Sequence, residues 1–230
     1  MLTYDEVVGR SGLQAGGAWA MSRFVRQVEV RGRENLPSEG PLLVVANHPG
    51  LSDAIALFSA IPRPDLRVVA AANPLLSALP NTASRLFYVS GSGLKAVRAA
   101  NRHLRGGGAV LTFPGGRIEP DPAVLPGAAE ALERWSESLD LFARRTPELT
   151  VVPAVVSGVL SRRALHHPLT RLRRRPEDRR WLAAVLQAMV PALREGTVRV
   201  AFGKPLSPGG DSVSRAVVRE SRRLIEAAGE

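Results

Sequence analysis

The sequence predicts an α/β fold: a single domain whose central mixed, mostly parallel sheet is flanked by helices. Short apolar and β-branched runs alternate with segments of helical spacing along the chain. The run 42–46 is apolar throughout, as expected of a strand covered on both faces. With 230 residues, of which 45% are hydrophobic, the chain is long enough to bury one core of this kind.

Each element follows from local pattern. An amphipathic helical segment at 1–27 carries Trp19 and Phe24 beside arginines, and 28–230 forms the main domain. Prolines 62 and 64 end the second helix, and glycines 106–108 end a later one. The predicted strands are 25–30, 42–46, 66–71, 86–89, 109–113, 149–156 and 197–202. The helices that follow the N-terminal segment are 53–60, 75–79, 94–104, 128–143, 181–193 and 213–227.

Composition limits the chemistry that the chain can perform. Cysteine is absent, which excludes disulfides, thiolate metal sites and cysteine nucleophiles, and only four histidines are present. The formal charge of +10 predicts an anionic partner, and lipid head groups, nucleic acid and phosphorylated substrates all meet that description. No apolar run approaches the roughly 20 residues that cross a bilayer, so we expect a cytoplasmic protein without a membrane span.

Two uses remain open for the amphipathic and basic segments. The N-terminal helix could lie in a lipid interface or bury its apolar stripe on the sheet. The arginine-rich segment 162–180 could be a solvated charge run. Alternatively, it could face anionic lipid, the phosphates of coenzyme A or the acidic surface of acyl carrier protein.

The stretch VVANHPGLSDA, residues 44–54, places a histidine and an aspartate after a buried strand. The Pro49–Gly50 turn delivers His48 to the carboxyl end of that strand, the edge where open α/β sheets keep their sites. Asp53 follows His48 by five positions, which is not a same-face helical spacing. The two side chains can meet only if His48 lies on a loop and Asp53 lies on a first helical turn that folds back.

Further blocks follow in order: TFPGGRIEP at 112–120, VVPAVVSG at 151–158 and VRVAFGKPL at 198–206. Together with Asn47, His48 and Asp53, these blocks resemble the phospholipid and glycerol acyltransferases of the lysophosphatidic acid acyltransferase type, over about residues 28–206. The resemblance implies an acyl-CoA or acyl carrier protein donor and a lysolipid acceptor, with no metal or bound cofactor. It also implies association with the inner face of the cell membrane. We expect no nucleic-acid partner, because no recognition motif accompanies the positive charge.

The resemblance gives His48 and Asp53 the catalytic roles. A neutral imidazole, with an ordinary pKa of about 6.5, can take the proton of a substrate hydroxyl at physiological pH. Asp53 would hold the other ring nitrogen and stabilise the imidazolium, as the aspartate does in a serine-histidine-aspartate triad. The substrate hydroxyl would attack the thioester directly, without an enzyme nucleophile. We expect the remaining histidines, 103, 166 and 167, to be surface residues.

The same resemblance predicts a substrate-binding set with departures from the family pattern. Its members are Asn47, Phe113, Pro114, Gly115, Gly116 and Arg117. Gly115 stands where the family has glutamate and Ile118 where it has arginine, so Glu119 and Arg117 are candidate replacements. In the second block Gly91 occupies the place of another arginine. Arg85, Lys95 and Arg98 are the candidates to supply that charge.

These departures keep a second class of function open. A lipid-binding member of the same fold that has lost catalysis would also lack the arginine that Gly91 replaces and the glutamate that Gly115 replaces. A nucleic-acid binder would depend on charge alone, since no recognition motif accompanies it. Acyl transfer is therefore the leading prediction.

Overall fold

The computed structural model describes residues 2–50, 52–72, 74–89, 91, 93–193, 197–209 and 212–228. Within them the strands are β1 (Gln27–Arg31), β2 (Leu42–Ala46), β3 (Arg67–Ala71), β4 (Leu86–Val89), β5 (Ala109–Thr112), β6 (Thr150–Ser157) and β7 (Thr197–Phe202). The longer helices are α1 (Leu2–Phe24), α2 (Asp53–Ala60), α5 (Leu94–Arg105), α7 (Leu139–Arg145), α9 (Pro176–Met189) and α10 (Val213–Ala228). Single turns form α3 (Pro74–Ser77), α4 (Pro80–Ala83), α6 (Ala128–Ala131) and α8 (Arg162–Leu165).

The described strands form one sheet in the order β1-β7-β6-β2-β5-β3-β4. Strands β2 to β6 run parallel to one another, and β7 is antiparallel to β6. Strand β1 pairs in parallel with β7 at the edge of the sheet. The predicted mixed, mostly parallel sheet with flanking helices is confirmed.

Strand β2 occupies the middle of the sheet, and every one of its residues is buried. Because side chains alternate along a strand, Leu42, Val44 and Ala46 contribute to the core beneath α1 and α2. Leu43 and Val45 contribute to the opposite core, beneath α5, α7 and α10. This two-sided burial explains the uninterrupted apolar run in the sequence. It also gives the loop after β2 a rigid base.

Helix α1 lies against α2, the helix that begins with Asp53. Tyr4, Val8 and Met21 are buried in the core beneath these two helices. Gly17 permits the close approach, because a Cβ atom there would lie 2.6 Å from the backbone nitrogen of Ser59. Much of the apolar stripe of the N-terminal helix is therefore buried against the protein's own fold, whereas Trp19 is partly buried and Phe24 is 38% exposed.

The predicted helix at 128–143 is interrupted. Helix α6 continues into a 3₁₀ turn, Leu132–Arg134, and Trp135 is then extended, with φ −67° and ψ 138°. The break turns the indole N–H of Trp135 toward Glu119, whose Oε1 accepts its hydrogen bond at 2.7 Å. A buried polar bond to a distant residue outweighs helical continuation here.

Helix α9 begins five residues earlier than predicted, with Pro176 in its first turn. It ends at Met189, before a 3₁₀ turn at Pro191–Leu193. No helix in the described ranges is both long and apolar enough to span a membrane.

Candidate active site

The loop after β2 folds back so that its histidine meets the start of α2. Nδ1 of His48 lies 2.7 Å from Oδ2 of Asp53, the first residue of that helix. The same carboxylate accepts hydrogen bonds from the backbone N–H groups of Gly50, at 3.2 Å, and Ala54, at 2.6 Å. Because the carboxylate accepts from Nδ1–H, it leaves Nε2 as the unprotonated nitrogen of the neutral imidazole.

The His48 side chain is 29% exposed, whereas Asp53 is fully buried. The Phe113 ring, which follows β5, lies against the imidazole with a centroid distance of 4.8 Å and an interplanar angle of 34°. Burial lowers the pKa of His48, but the charge and hydrogen bond of Asp53 raise it, with a further contribution from Glu119. The net direction of the pKa is upward, because the nearby carboxylates stabilise the imidazolium.

Glu119 holds the backbone of His48 from both sides. Its Oε2 accepts from the His48 N–H at 2.9 Å, and its own N–H donates to the His48 carbonyl at 2.8 Å. The Glu119 side chain is buried, and burial raises its pKa despite the hydrogen bonds from Trp135 and His48. Glu119 therefore fixes the backbone of the loop that carries His48.

The absence of a side chain at position 115 makes room for this carboxylate. A Cβ atom on Gly115 would lie 2.5 Å from Oε1 of Glu119. The Glu119 carboxyl thus fills the space that a side chain at 115 would enter. The replacement of the missing glutamate by Glu119 stays a prediction.

The remaining residues of the turn after β5 divide between structure and surface. Gly116 adopts φ +63°, and its N–H donates to the Phe113 carbonyl at 3.1 Å. That N–H closes the turn, and the predicted role of Gly116 in substrate binding stays a prediction. The Pro114 carbonyl accepts from Ser136 at 3.3 Å. Arg117 is exposed and lines a cavity together with Gly115.

Asn47 was predicted to bind substrate, but both ends of its side chain are used within the fold. Its Nδ2 donates to the Val156 carbonyl at 2.9 Å, and its Oδ1 accepts from the Val156 N–H at 2.7 Å. The residue is 2% exposed. Asn47 therefore continues the β2–β6 pairing past the end of β2 and steadies the residue before His48.

The second-block candidates do not join the site. Arg85 precedes β4 at the amino edge of the parallel strands, opposite His48, and it donates to the Pro64 carbonyl at 3.4 Å. Lys95 and Arg98 are exposed on α5, which follows β4. Strand β4, which connects Arg85 to α5, is three strand positions from β2, or roughly 14 Å at the ordinary strand spacing.

Two residues that sequence reasoning missed also support the site. Trp135 donates a hydrogen bond to Glu119 and holds it in place. Its role could have been found in the sequence, because a buried indole N–H needs a hydrogen-bond acceptor. Asp121 is fully buried and accepts from the N–H groups of Gly158 and Leu160, both at 2.9 Å. Asp121 thereby ties the PGGRIEPDP loop to the end of β6. Its acidic side chain between two prolines gave no local signal of this role.

The other histidines lie away from the dyad. His103 is half-buried rather than on the surface, because its Nε2 donates to the Asp65 carbonyl at 2.8 Å. His166 is exposed, and Nδ1 of His167 accepts from Leu169 at the start of a 3₁₀ turn. Among the residues described, no group of three His, Asp or Glu side chains is arranged to hold a metal ion.

A partly exposed histidine, hydrogen-bonded to a buried carboxylate at the open edge of an α/β sheet, makes His48 and Asp53 a candidate catalytic pair. The acyltransferase family model matches residues 27–157, more than half of the chain. The chain belongs to this acyltransferase family, as the sequence blocks predicted. It is an acyltransferase.

A solved structure has the same fold. The crystal structure of the 1-acyl-sn-glycerophosphate (LPA) acyltransferase PlsC from Thermotoga maritima superimposes with a TM-score of 0.64. The match covers 94% of this chain and 77% of that chain, at 19% sequence identity. A search of the curated proteins found no match. The predicted fold class is confirmed by this likeness.

Proposed function

We propose that this acyltransferase moves a fatty acyl group from a thioester, carried by coenzyme A or acyl carrier protein, to a hydroxyl of a lysophospholipid or related glycerol lipid. The 2.7 Å contact between His48 and Asp53 carries the proposal, because it prepares a base at an accessible sheet edge. The acyltransferase family and the PlsC likeness support the lysophospholipid class of acceptor.

The reaction needs one base and no covalent enzyme intermediate. Nε2 of His48 takes the proton of the acceptor hydroxyl while the hydroxyl oxygen attacks the thioester carbonyl carbon. The tetrahedral oxyanion collapses, the carbon–sulfur bond breaks, and the leaving thiolate takes the proton from the imidazolium. Asp53 holds Nδ1–H throughout and stabilises the transient positive charge. A thioester and an alcohol thus become an ester and a thiol.

The raised pKa of His48 predicts the pH dependence of activity. The base must be neutral, so kcat/KM should rise with pH and level off above the His48 pKa. Since Asp53 and Glu119 raise that pKa, we expect the acidic limb of the pH–rate profile to have an apparent pKa above the ordinary histidine value of about 6.5. Residual activity of Asp53→Asn should show the limb moved to lower pH. A limb at or below the ordinary value in the wild type would contradict the proposed environment.

Acceptor-dependent thiol release tests the activity itself. The purified chain is mixed with acyl-CoA, with and without each of several lysolipids, and free thiol and ester product are both followed. We expect thiol release only with an acceptor, matched by ester formation. Binding to lipid vesicles without ester formation from any donor and acceptor would favour the lipid-binding alternative.

The proposed acceptor lipid lies in a membrane, so the protein needs a surface that contacts the bilayer. Helix α9 and the turn before it are our candidate for that surface. Leu172 is 76% exposed, Trp181 48% and Met189 74%. Leu172 lies between the exposed arginines 171 and 173–175, and Trp181 and Met189 follow them on α9. Exposed apolar side chains flanked by arginine suit the interface of an anionic bilayer. We name this surface, formed by residues 168–190, the α9 face.

Vesicle binding should depend on the α9 face. Replacing both Trp181 and Met189 with serine should weaken binding to vesicles containing anionic lipid by about tenfold or more, since each loses apolar burial in the interface. Leu141→Ser is the matched control, because Leu141 is 43% exposed on α7, at the opposite face of the sheet. Equal loss from the control and the double variant, measured by co-sedimentation, would exclude a specific α9 face.

A further inference from the structure

A cavity of about 210 Å³ opens beside the catalytic loop. The residues that line it include Gly115 and the charged side chains of Arg117, Glu119, Arg134, Glu177 and Arg180. Two of these, Gly115 and Glu119, belong to the segment that holds His48 in place. The cavity and the candidate active site therefore share one loop.

Three arginines reach this cavity from three separate elements. Arg117 lies on the turn after β5, Arg134 on the 3₁₀ turn before Trp135, and Arg180 on the first part of α9. None of the three forms an ion pair with another described residue. The Nε atom of Arg180 is buried and has no hydrogen-bond partner within the described part of the chain.

The two carboxylates at the cavity leave an excess of positive charge. Both oxygens of Glu119 are already used, one by the His48 N–H and one by the Trp135 indole. Glu177 is exposed at the start of α9. Burial lowers the pKa of Arg180, Glu177 raises it and Arg134 lowers it again. A buried donor without a partner, next to a second arginine, is costly unless an anion accepts from it.

We propose that this cavity binds the phosphate group of a substrate of the proposed acyl transfer. Arginine forks match phosphate oxygens, and a phosphate monoester carries about −1.5 to −2 charges at neutral pH. At about 210 Å³ the cavity is smaller than the roughly 300–1,000 Å³ that holds a whole drug-sized ligand, so it takes a head group. Arg134 and Arg180 thereby supply charge that Gly91 and Ile118 lack.

Two substrates of the proposed reaction can bring a phosphate. In a lysophosphatidate acceptor the phosphate lies close to the reacting hydroxyl. In coenzyme A it lies at the far end of the pantetheine arm from the thioester. The chemistry of recognition is the same, so kinetics with and without each phosphate must separate them.

Direct binding comes first. Calorimetric titration with sn-glycerol 3-phosphate should show binding to the wild type that Arg180→Gln and Arg134→Gln each weaken about ten- to hundredfold. Arg180→Lys, which keeps the charge and loses the fork, should fall between. Arg105→Gln is the control, because Arg105 is exposed at the end of α5, before the amino edge of β5. No binding by the wild type, or equal binding by all variants, would overturn the proposal.

Kinetics then identify the source of the phosphate. If the acceptor brings it, Arg180→Gln should raise KM about tenfold or more for lysophosphatidate and leave KM for monoacylglycerol unchanged. If the donor brings it, the same variant should raise KM for acyl-CoA and not for the phosphate-free acyl-pantetheine. Unchanged KM values for every phosphate-bearing substrate would count against the proposal even where acyl transfer proceeds. Failure of acyl transfer with all substrates would instead reject the proposed function and leave the binding titration to decide the cavity.

Discussion

His48→Ala is expected to lower kcat for acyl transfer by about 10²- to 10⁴-fold, because positioned general bases contribute rate factors of that size. The fold should persist, since the two hydrogen bonds between the His48 backbone and Glu119 do not involve the imidazole. The side chain is also partly exposed, so its removal leaves no sealed cavity. Ester formation from acyl-CoA and a lysolipid, with circular dichroism as a check on folding, measures the effect.

His166→Ala is the matched control for this prediction. His166 is exposed, with its only described side-chain hydrogen bond made to the Arg162 carbonyl, one helical turn earlier. Its replacement should leave kcat within about twofold of the wild type. Turnover by His48→Ala at the wild-type rate would remove the imidazole from the mechanism.

Glu119→Ala is expected to reduce both stability and activity. It leaves the His48 N–H and the Trp135 indole N–H without their acceptor. An unsatisfied buried donor costs about 1–3 kcal/mol, so the two together predict a loss of roughly 2–6 kcal/mol in the free energy of unfolding. Activity should fall with it, because the His48 backbone loses the carboxylate that holds it. Thermal unfolding and ester formation measure the two effects.

Moving the carboxylate provides a sharper version of the same prediction. Gly115→Glu alone should destabilise the fold by about 1–3 kcal/mol through overpacking, since its Cβ would meet Glu119. Gly115 does not require the left-handed conformation that Gly116 adopts, so a side chain fits the backbone once Glu119 is removed. The double variant Gly115→Glu/Glu119→Ala should therefore be more stable and more active than the sum of the single changes predicts. Additive losses would mean that the two positions do not share one carboxylate site.

The fold could be predicted from sequence where its causes are local. The all-apolar run of β2 and the helical spacing of α5 are both visible within a few residues, and both elements formed within a residue of the predicted bounds. The interruption after α6 could not be predicted in this way. It depends on the bond between Trp135 and Glu119, which belong to different segments and meet only in the folded chain.

In the candidate site, too, local features could be predicted from the sequence and contacts between distant segments could not. His48 and Asp53 are five positions apart, so one turn decides whether they meet. The position of Arg85 required knowledge of which sheet edge it occupies, and the sequence pattern did not supply that. Arg134 and Arg180 were not singled out because they are far apart in sequence and converge only through the tertiary fold. The resemblance alone assigned Asn47 to substrate. Its hydrogen bonds to Val156 were not visible in the sequence, because they join two segments that are far apart in the chain.

Nitrogen NMR of the histidine ring examines the catalytic pair itself. At a pH above the His48 pKa, the wild type should carry its ring proton on Nδ1, bonded to Asp53, and leave Nε2 unprotonated. Titration should give a His48 pKa above the ordinary histidine value, and Asp53→Asn should lower it. A ring proton on Nε2 in the wild type would contradict the proposed base, because the nitrogen required to accept the substrate proton would already hold one.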